Sequence, residues 1–429
     1  MIQASDRWNL YGDRRYWESW ARDVAQIAEQ QITRIKALLE ADGRVGGRAR
    51  AAFDRFLTGL RGNLNPAVSE SDAIEMLAQH LITQPVFDAL FEGYAFTQNN
   101  PVSRSMQQML NVLRDNGLAK EPASLQKFYE SVRQKAGIDI AGLEPAKAAE
   151  ARQRIVVELY DKFFRTAFAK MSERLGIVYT PIEVVDFILK SVDDTLRAEF
   201  GETLGSAGVQ VLDPFTGTGT FIVRLLQNGF IGPTDLPRKY KSELHANEIV
   251  PLAYYIAAVN IEYAYHLACE QSAANGEAYR PFEGIVLTDT FQLTEGKGSL
   301  EEAMFPDNNK RARRQNVVDI RVIVGNPPYS AQQDSENDDN KNLKYPQLDE
   351  RIRRTYAAQS DAGLLKNLYD SYIRAIRWAS DRIKDKGVVC YVTNGSFIDA
   401  NNMDGLRKTL LAEFSRVYVF NLRGNQRTS

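Results

Sequence analysis

Four consecutive residues, Asn326-Pro327-Pro328-Tyr329, follow directly on an apolar run, Val322-Ile323-Val324-Gly325. The run reads as a buried strand that ends in a turn. Two adjacent prolines offer no backbone N–H to a ladder or a helix. Asn326 precedes a proline and is pushed away from helical backbone angles. The result is a stiff loop at a strand's carboxyl end that presents one amide side chain, free carbonyls and one aromatic ring. Such a loop could hold a planar amino group and stack on the ring that bears it. A proline-rich turn with no further role is the alternative, and only the surrounding chain can choose between them.

A second constellation lies upstream. Asp213-Pro214-Phe215-Thr216-Gly217-Thr218-Gly219-Thr220 joins an apolar strand, Val209 to Asp213, to a helix beginning near Phe221. Gly217 and Gly219 let the backbone approach a ligand closely. The third glycine of a dinucleotide fingerprint is missing, Ile222 standing there, and no Gly-Lys-Ser/Thr follows, so this is not a phosphate loop. An acidic residue at the strand end disfavours a pyrophosphate and suits a cationic ligand such as an amino acid or a sulfonium. Glu248 ends the next strand, Glu243 to Glu248, where a carboxylate commonly binds ribose hydroxyls. An amino acid, a sulfonium and a ribose together describe S-adenosylmethionine. A structural glycine turn plus a surface glutamate is the plainer reading.

Two further candidates stay open locally. Thr180, Pro181 and Glu183 spell a capping box with proline at the first helical position, yet a helix start also accepts a carboxylate. Asp289 ends a third strand, Ile285 to Asp289. It could accept an adenine amino group or merely cap the following turn. His80, His245 and His266 are the only histidines. None has metal-ligand spacing, and all three read as structural, so no metal site is expected.

The elements around these residues fall into two regions. Residues 1 to about 170 read as an all-α domain. Apolar residues recur at helical spacing in Trp17, Trp20, Ala21, Val24, Ile27 and Ala28, and again in Ile74, Leu77, Ala78 and Leu81. Breakers stand at Gly43 to Gly47, Asn63 to Pro66 and Asn99 to Pro101. By its physics alone this region is a helical bundle with an interaction or scaffolding role. Residues 171 to 429 alternate strands with helices, which indicates an α/β fold with a Rossmann-like, mostly parallel sheet. Beyond the strands above, Ile320 to Gly325, Val388 to Thr393 and Val417 to Leu422 read as strands. Pro251 to Tyr265 and Leu364 to Ile383 read as helices. Asp307 to Asn316, basic, and Ala331 to Asn342, rich in Asp, Asn and Gln, read as loops.

Bulk properties narrow the function classes. With 429 residues the chain has room for two or three domains. A net charge of −2 gives no global attraction to nucleic acid, so any such contact needs local basic patches or other parts of a larger assembly. Two cysteines, Cys269 and Cys390, without disulfide or metal spacing fit a reducing, cytoplasmic setting. No signal pattern opens the chain, and no apolar run is long enough for a membrane span.

Taken in order, GIVYTP, DPFTGTGTF, ANEI, LTDTF and GNPPYS resemble the motifs of the gamma-ordered adenine-N6 DNA methyltransferases. DRWNLYGDRRYW and AIEMLAQHLITQPVFDALF in the helical region look like the coupler of single-polypeptide (type ISP) restriction–modification enzymes. The resemblance covers essentially the whole chain. It implies that Tyr179, Thr180, Pro181, Asp213, Phe215, Gly217, Gly219, Glu248 and Asp289 bind S-adenosylmethionine. It implies that Asn326, Pro327 and Tyr329 act on an adenine flipped out of double-stranded DNA, with no metal. In that family a nuclease and a helicase-like translocase precede the coupler, and a target-recognition domain follows the methyltransferase. No nuclease or helicase motif is found here, and the seventh sheet strand and the target-recognition domain would lie past Ser429. A fragment with cofactor binding but weak sequence-specific methylation is therefore expected. The proline loop also serves methyltransferases of protein glutamine and of RNA bases, and a non-catalytic coupling module would keep the same fold.

Overall fold

The computed structural model describes residues 25–44, 46–90, 99–118, 125–126, 129–130, 180–271, 279–295, 304–328, 345–363 and 365–422. Tyr179, Tyr329, the Ala331 to Asn342 segment and the expected domain boundary near residue 170 lie outside them, as do Trp17, Trp20, Ala21 and Val24.

The N-terminal region is helical, with α1 over residues 25–43, α2 at Arg48–Asn63, α3 at Glu70–Leu90 and α4 at Pro101–Asp115. Local chemistry explains the starts. Ser69 and Asp72 exchange bonds as a capping box before α3. The Asn100 side chain accepts the Val102 and Ser103 N–H groups at the start of α4, with Pro101 as its first residue. The expected apolar face holds, since Ile27, Ala28, Ile74, Leu77, Ala78 and Leu81 are buried.

From residue 180 on, helices alternate with parallel strands. These are α5 (Ile182–Phe200), β1 (Val211–Asp213), α6 (Thr220–Gln227), α7 (Leu236–Ser242), β2 (Leu244–Glu248), α8 (Pro251–Gln271), β3 (Ile285–Leu287), α9 (Pro306–Val317), β4 (Val322–Gly325), α10 (Pro346–Ile352), α11 (Ser371–Arg382), β5 (Val388–Tyr391) and α12 (Asp404–Glu413). The sheet order is β3-β2-β1-β4-β5, every pair parallel. The order reverses between β1 and β4, and the crevice above such a switch point is where open α/β sheets bind ligands.

Three expected elements fail. Asp307 to Asn316 is not a loop but most of α9. Pro306 sits in its first turn, and Asn308, Asn309, Ala312 and Gln315 form its buried stripe. Polar amides carry the helical period there, so an apolar count misses it. Leu364 to Ile383 is not one helix. Lys366–Tyr369 is a 3₁₀ turn, and the Asp370 carboxylate caps α11 by accepting the Tyr372 N–H. Val417 to Leu422 forms no strand. Its residues are exposed and take part in no strand ladder, and Phe420 packs on Phe187 of α5 with ring centroids 4.9 Å apart. Alternation alone makes no strand without a neighbouring edge to pair with.

The two regions share one hydrophobic core, which runs from Ile27 to Val324. Their seam is also polar and buried. Asn308 accepts the Leu287 N–H at 2.9 Å and donates to the Leu287 carbonyl at 3.0 Å and to Asn63 Oδ1 at 3.3 Å. Its amide thus pairs with the outer edge of β3 as a neighbouring strand's peptide would. Asn308→Leu leaves those edge groups unpaired and is expected to cost about 2–4 kcal/mol in urea unfolding. A loss near zero would show that the seam contributes nothing to the fold.

Candidate active site

The carboxyl ends of β1, β2, β4 and β5 converge on the switch point. Asp213 ends β1 and is completely buried. Its Oδ1 accepts the Phe215 N–H at 3.1 Å, and its Oδ2 has no partner. Burial, with the nearby Glu248 charge adding to it, pushes this carboxyl up to about 8. The turn that follows depends on its glycines. Gly219 has φ +90°, and an added Cβ would stand 3.2 Å from Ala257 Cα on α8, so only glycine lets helix and turn approach this closely. Gly217 has φ +55° and faces open space.

Glu248 ends β2 and locks this turn. Its Oε2 accepts the Gly217 N–H at 2.8 Å, while Oε1 accepts the Ile249 and Val250 N–H groups at 2.9 and 2.8 Å. Burial raises it to about 7 against the pull of these bonds. Three donors leave one acceptor direction on the carboxylate, on Oε2. Asn247 beside it is buried, and its Oδ1 has no partner.

Asn326 follows β4. Its amide donates to Thr180 Oγ1 at 3.0 Å, and its own Oδ1 is buried without a partner. Thr180 therefore serves Asn326 and caps no helix. Pro181 is the N-cap residue, outside α5, with no side-chain cap bond, so the expected capping box does not form. Pro327 is buried behind Asn326. Gly325 is the spacer, because a Cβ there would lie 2.9 Å from Asp213 Oδ1.

Tyr391 is the residue that motif reading misses. It ends β5 in register with Gly325, and its hydroxyl is buried without a partner. Burial and the Asp213 charge both push that hydroxyl well above its usual range. Its ring stands 6.2 Å from that of Phe215, which meets Phe291 edge-on at 5.6 Å. The expected strand runs on to Thr393, so the rule that ligands sit beyond strand carboxyl ends does not single out Tyr391, which ends the observed strand. It lies in no short motif.

Asp289 stands apart from this group. Its Oδ2 accepts Asn65 Nδ2 at 3.1 Å and the Tyr345 hydroxyl at 2.9 Å, and its Oδ1 accepts the Phe291 N–H at 2.9 Å. The turn-capping role is thus present, with a clasp to the helical region besides. The histidines are buried. Burial drives His80 and His245 down to about 3, and His266 accepts the Arg280 N–H. No group of metal ligands occurs among the described residues.

The arrangement suits a ligand with one cationic end. Asp213 Oδ2, Asn247 Oδ1, Asn326 Oδ1 and the Tyr391 hydroxyl are buried polar atoms without partners, a costly state in a finished core. They stand at the carboxyl ends of four strands, around a glycine turn open in front of Gly217. S-adenosylmethionine, with its ammonium, sulfonium and ribose, fits this donor and acceptor set.

Comparisons with known proteins agree with this architecture. Residues 16–141 match the Type ISP restriction-modification enzyme coupler domain, and residues 243–427 match the Eco57I restriction-modification methylase. No curated protein matches the chain. Among solved structures, it is similar to a nuclease-deletion mutant of the Type ISP enzyme LlaGI in complex with a DNA substrate mimic. The TM-score is 0.85 and the identity 48%, over 96% of this chain and 32% of that one. It is similar to the ATP-dependent Type ISP enzyme LlaBIII bound to DNA, with TM-score 0.82 and 49% identity over 92% of this chain and 26% of that one. A DrdV–DNA complex aligns at TM-score 0.77 and 36% identity, over 92% of this chain and 37% of that one. The chain thus spans about a third or less of the length of the first two. Over the matched residues the chain thus carries a Type ISP restriction-modification coupler domain followed by an Eco57I-type restriction-modification methylase, and it is similar to Type ISP enzymes over nearly its whole length.

Proposed function

We propose that this chain transfers the methyl group of S-adenosylmethionine to the 6-amino nitrogen of an adenine flipped out of double-stranded DNA. It would do so as the modification part of a restriction–modification system in the cytoplasm. The coupler would extend to about residue 170 and the methyltransferase from 171. The helicase, nuclease and target-recognition parts would be supplied by the longer protein or by partner chains. The observation that carries this reading is Asn326: its side-chain oxygen is buried, unpartnered and aimed by the bond its amide makes to Thr180.

The exocyclic nitrogen of adenine is a poor nucleophile, because its lone pair is delocalised into the ring. Asn326 Oδ1 and the Pro327 carbonyl can each accept one of its N–H groups. Held that way, the nitrogen is drawn toward a tetrahedral form, its lone pair is freed, and the positive charge it develops is met by two acceptors. Tyr329 would stack on the flipped base. The cofactor supplies an activated sulfonium methyl. Thr180 and Pro181, with Tyr179, would meet its carboxyl end, and Asp213 its ammonium. Phe215, Gly217 and Gly219 would wall and cradle it. The remaining acceptor direction of Glu248 would take a ribose hydroxyl, and Asp289 the adenine amino group. Calorimetry with S-adenosylmethionine, and methyl-transfer assays on duplex DNA, RNA and release-factor protein, test the reading. No binding at millimolar cofactor would end it, and transfer to RNA or protein alone would redirect it.

Asp213 makes binding pH-dependent. A carboxyl held near 8 in the unliganded fold must lose its proton to pair with an ammonium. Through Asp213 affinity should therefore rise between pH about 6 and about 8, by at most about tenfold per unit and with close to one proton released at this group. By the same linkage Asp213 contributes stability to the unliganded fold that is fully present below the ordinary carboxyl pKa and is lost as pH rises through about 8. Calorimetry in two buffers of different ionisation enthalpy measures the proton count. Asp213→Asn should flatten the slope, and an unchanged slope in that variant would place the titration elsewhere.

A further inference from the structure

Asn65 lies just past α2, in the coupler, yet its amide reaches the methyltransferase carboxylate Asp289. The orientation of that amide is set locally: its Oδ1 accepts the Ala67 N–H at 2.9 Å, which leaves Nδ2 for Asp289. The second donor, Tyr345, is fixed on several sides. Its ring meets Phe291 edge-on at 5.1 Å, and the Arg374 guanidinium lies 5.3 Å from its centroid, itself held by Asp349 through two hydrogen bonds. Asp289, Asn65 and Tyr345 are all buried.

We propose that Asn65 and Tyr345 are positioning residues for the adenine ring of the cofactor, acting through Asp289. This rests on the function proposed above. A buried carboxyl left alone favours its neutral form, and burial does press Asp289 in that direction. A neutral acid carries a hydrogen on one oxygen and no longer offers two acceptors to a ligand amino group. Two side-chain donors on Oδ2 oppose this. They favour the ionised form and fix the rotation of the carboxylate, while Oδ1 receives one good backbone bond, from Phe291, and one long bond of 3.4 Å from Gln292. The long Gln292 bond is the weakest of the four on this carboxylate, and it is the one that the 6-amino group of the cofactor's adenine would displace on Oδ1. The coupler is in this way part of the cofactor site and not only a spacer.

The test compares S-adenosylmethionine with its analogue lacking the 6-amino group, by calorimetry on the full chain. Asn65→Ala and, as the milder change, Tyr345→Phe are each measured with a thermal melt. Each variant should weaken S-adenosylmethionine about tenfold, the size of one lost bond to a charged group, and leave affinity for the deamino analogue unchanged. Equal loss for both ligands, or no loss for either, would overturn the assignment and leave the clasp a structural tie. A wild-type chain that binds both ligands equally well would overturn it too, while the proposed function stands. A wild-type chain that binds neither would overturn that function and this assignment together.

Discussion

Asn326→Ala is expected to lower kcat for methyl transfer by about 10²–10³-fold, the usual cost of removing one preorganised polar contact to a developing charge. Affinity for S-adenosylmethionine should stay within a few-fold of wild type. The reason is the division of labour within one side chain. Its Oδ1 is buried, unpartnered and thus free for the proposed target amino group, while Nδ2 is committed to Thr180. Removing the side chain deletes the acceptor outright but leaves Thr180, proposed to meet the cofactor's carboxyl end, in place. A single-turnover assay at saturating cofactor separates the two effects. Unchanged kcat would refute the role given to Asn326, whatever happened to binding.

Gly325→Ala should damage both halves of the site at once. The new Cβ would stand 2.9 Å from Asp213 Oδ1 and 3.6 Å from both Pro214 Cδ and Tyr391 Cε1. Asp213 cannot swing away freely, because it is buried and Oδ1 holds the Phe215 N–H. Either the carboxylate leaves the ammonium position or β4 shifts and carries Asn326 with it. A displacement of this order in a positioned reaction costs about 10²-fold in kcat/KM, with about 1–3 kcal/mol of stability lost to overpacking. Steady-state kinetics with a parallel urea titration checks both. Wild-type kcat/KM in a stably folded variant would mean that the contact between β1 and β4 does not set the site's geometry.

The glycine turn after β1 and the proline loop after β4 were legible because their constraints are local. Glycines at 217 and 219, an acid at the end of an apolar run and two prolines after another run each limit the backbone within a few residues. The five-stranded parallel sheet followed from hydrophobic alternation, and all five of its strands lie within the expected segments. Helix α9 was illegible because three of the four residues on its buried face are amides, whose burial is favourable only once β3 stands beside them. The capping box at Thr180 failed because Pro181 and not Thr180 is the N-cap residue, and the Thr180 hydroxyl meets a residue 146 positions away instead.

The sequence by itself determined the type of chemistry, an acceptor amide on a rigid loop beyond a strand beside an acid-and-glycine turn, and the order in which these arrive. Only the tertiary structure decided which polar atoms are satisfied and which remain available. Asp213 Oδ2, Asn326 Oδ1 and the Tyr391 hydroxyl are left without partners, while Asp289 is held by Asn65 across the seam between the two regions. The physical reason is that availability belongs to three-dimensional packing: a buried polar group is free only if every neighbour folded against it declines to bond, and those neighbours come from positions far apart in the chain.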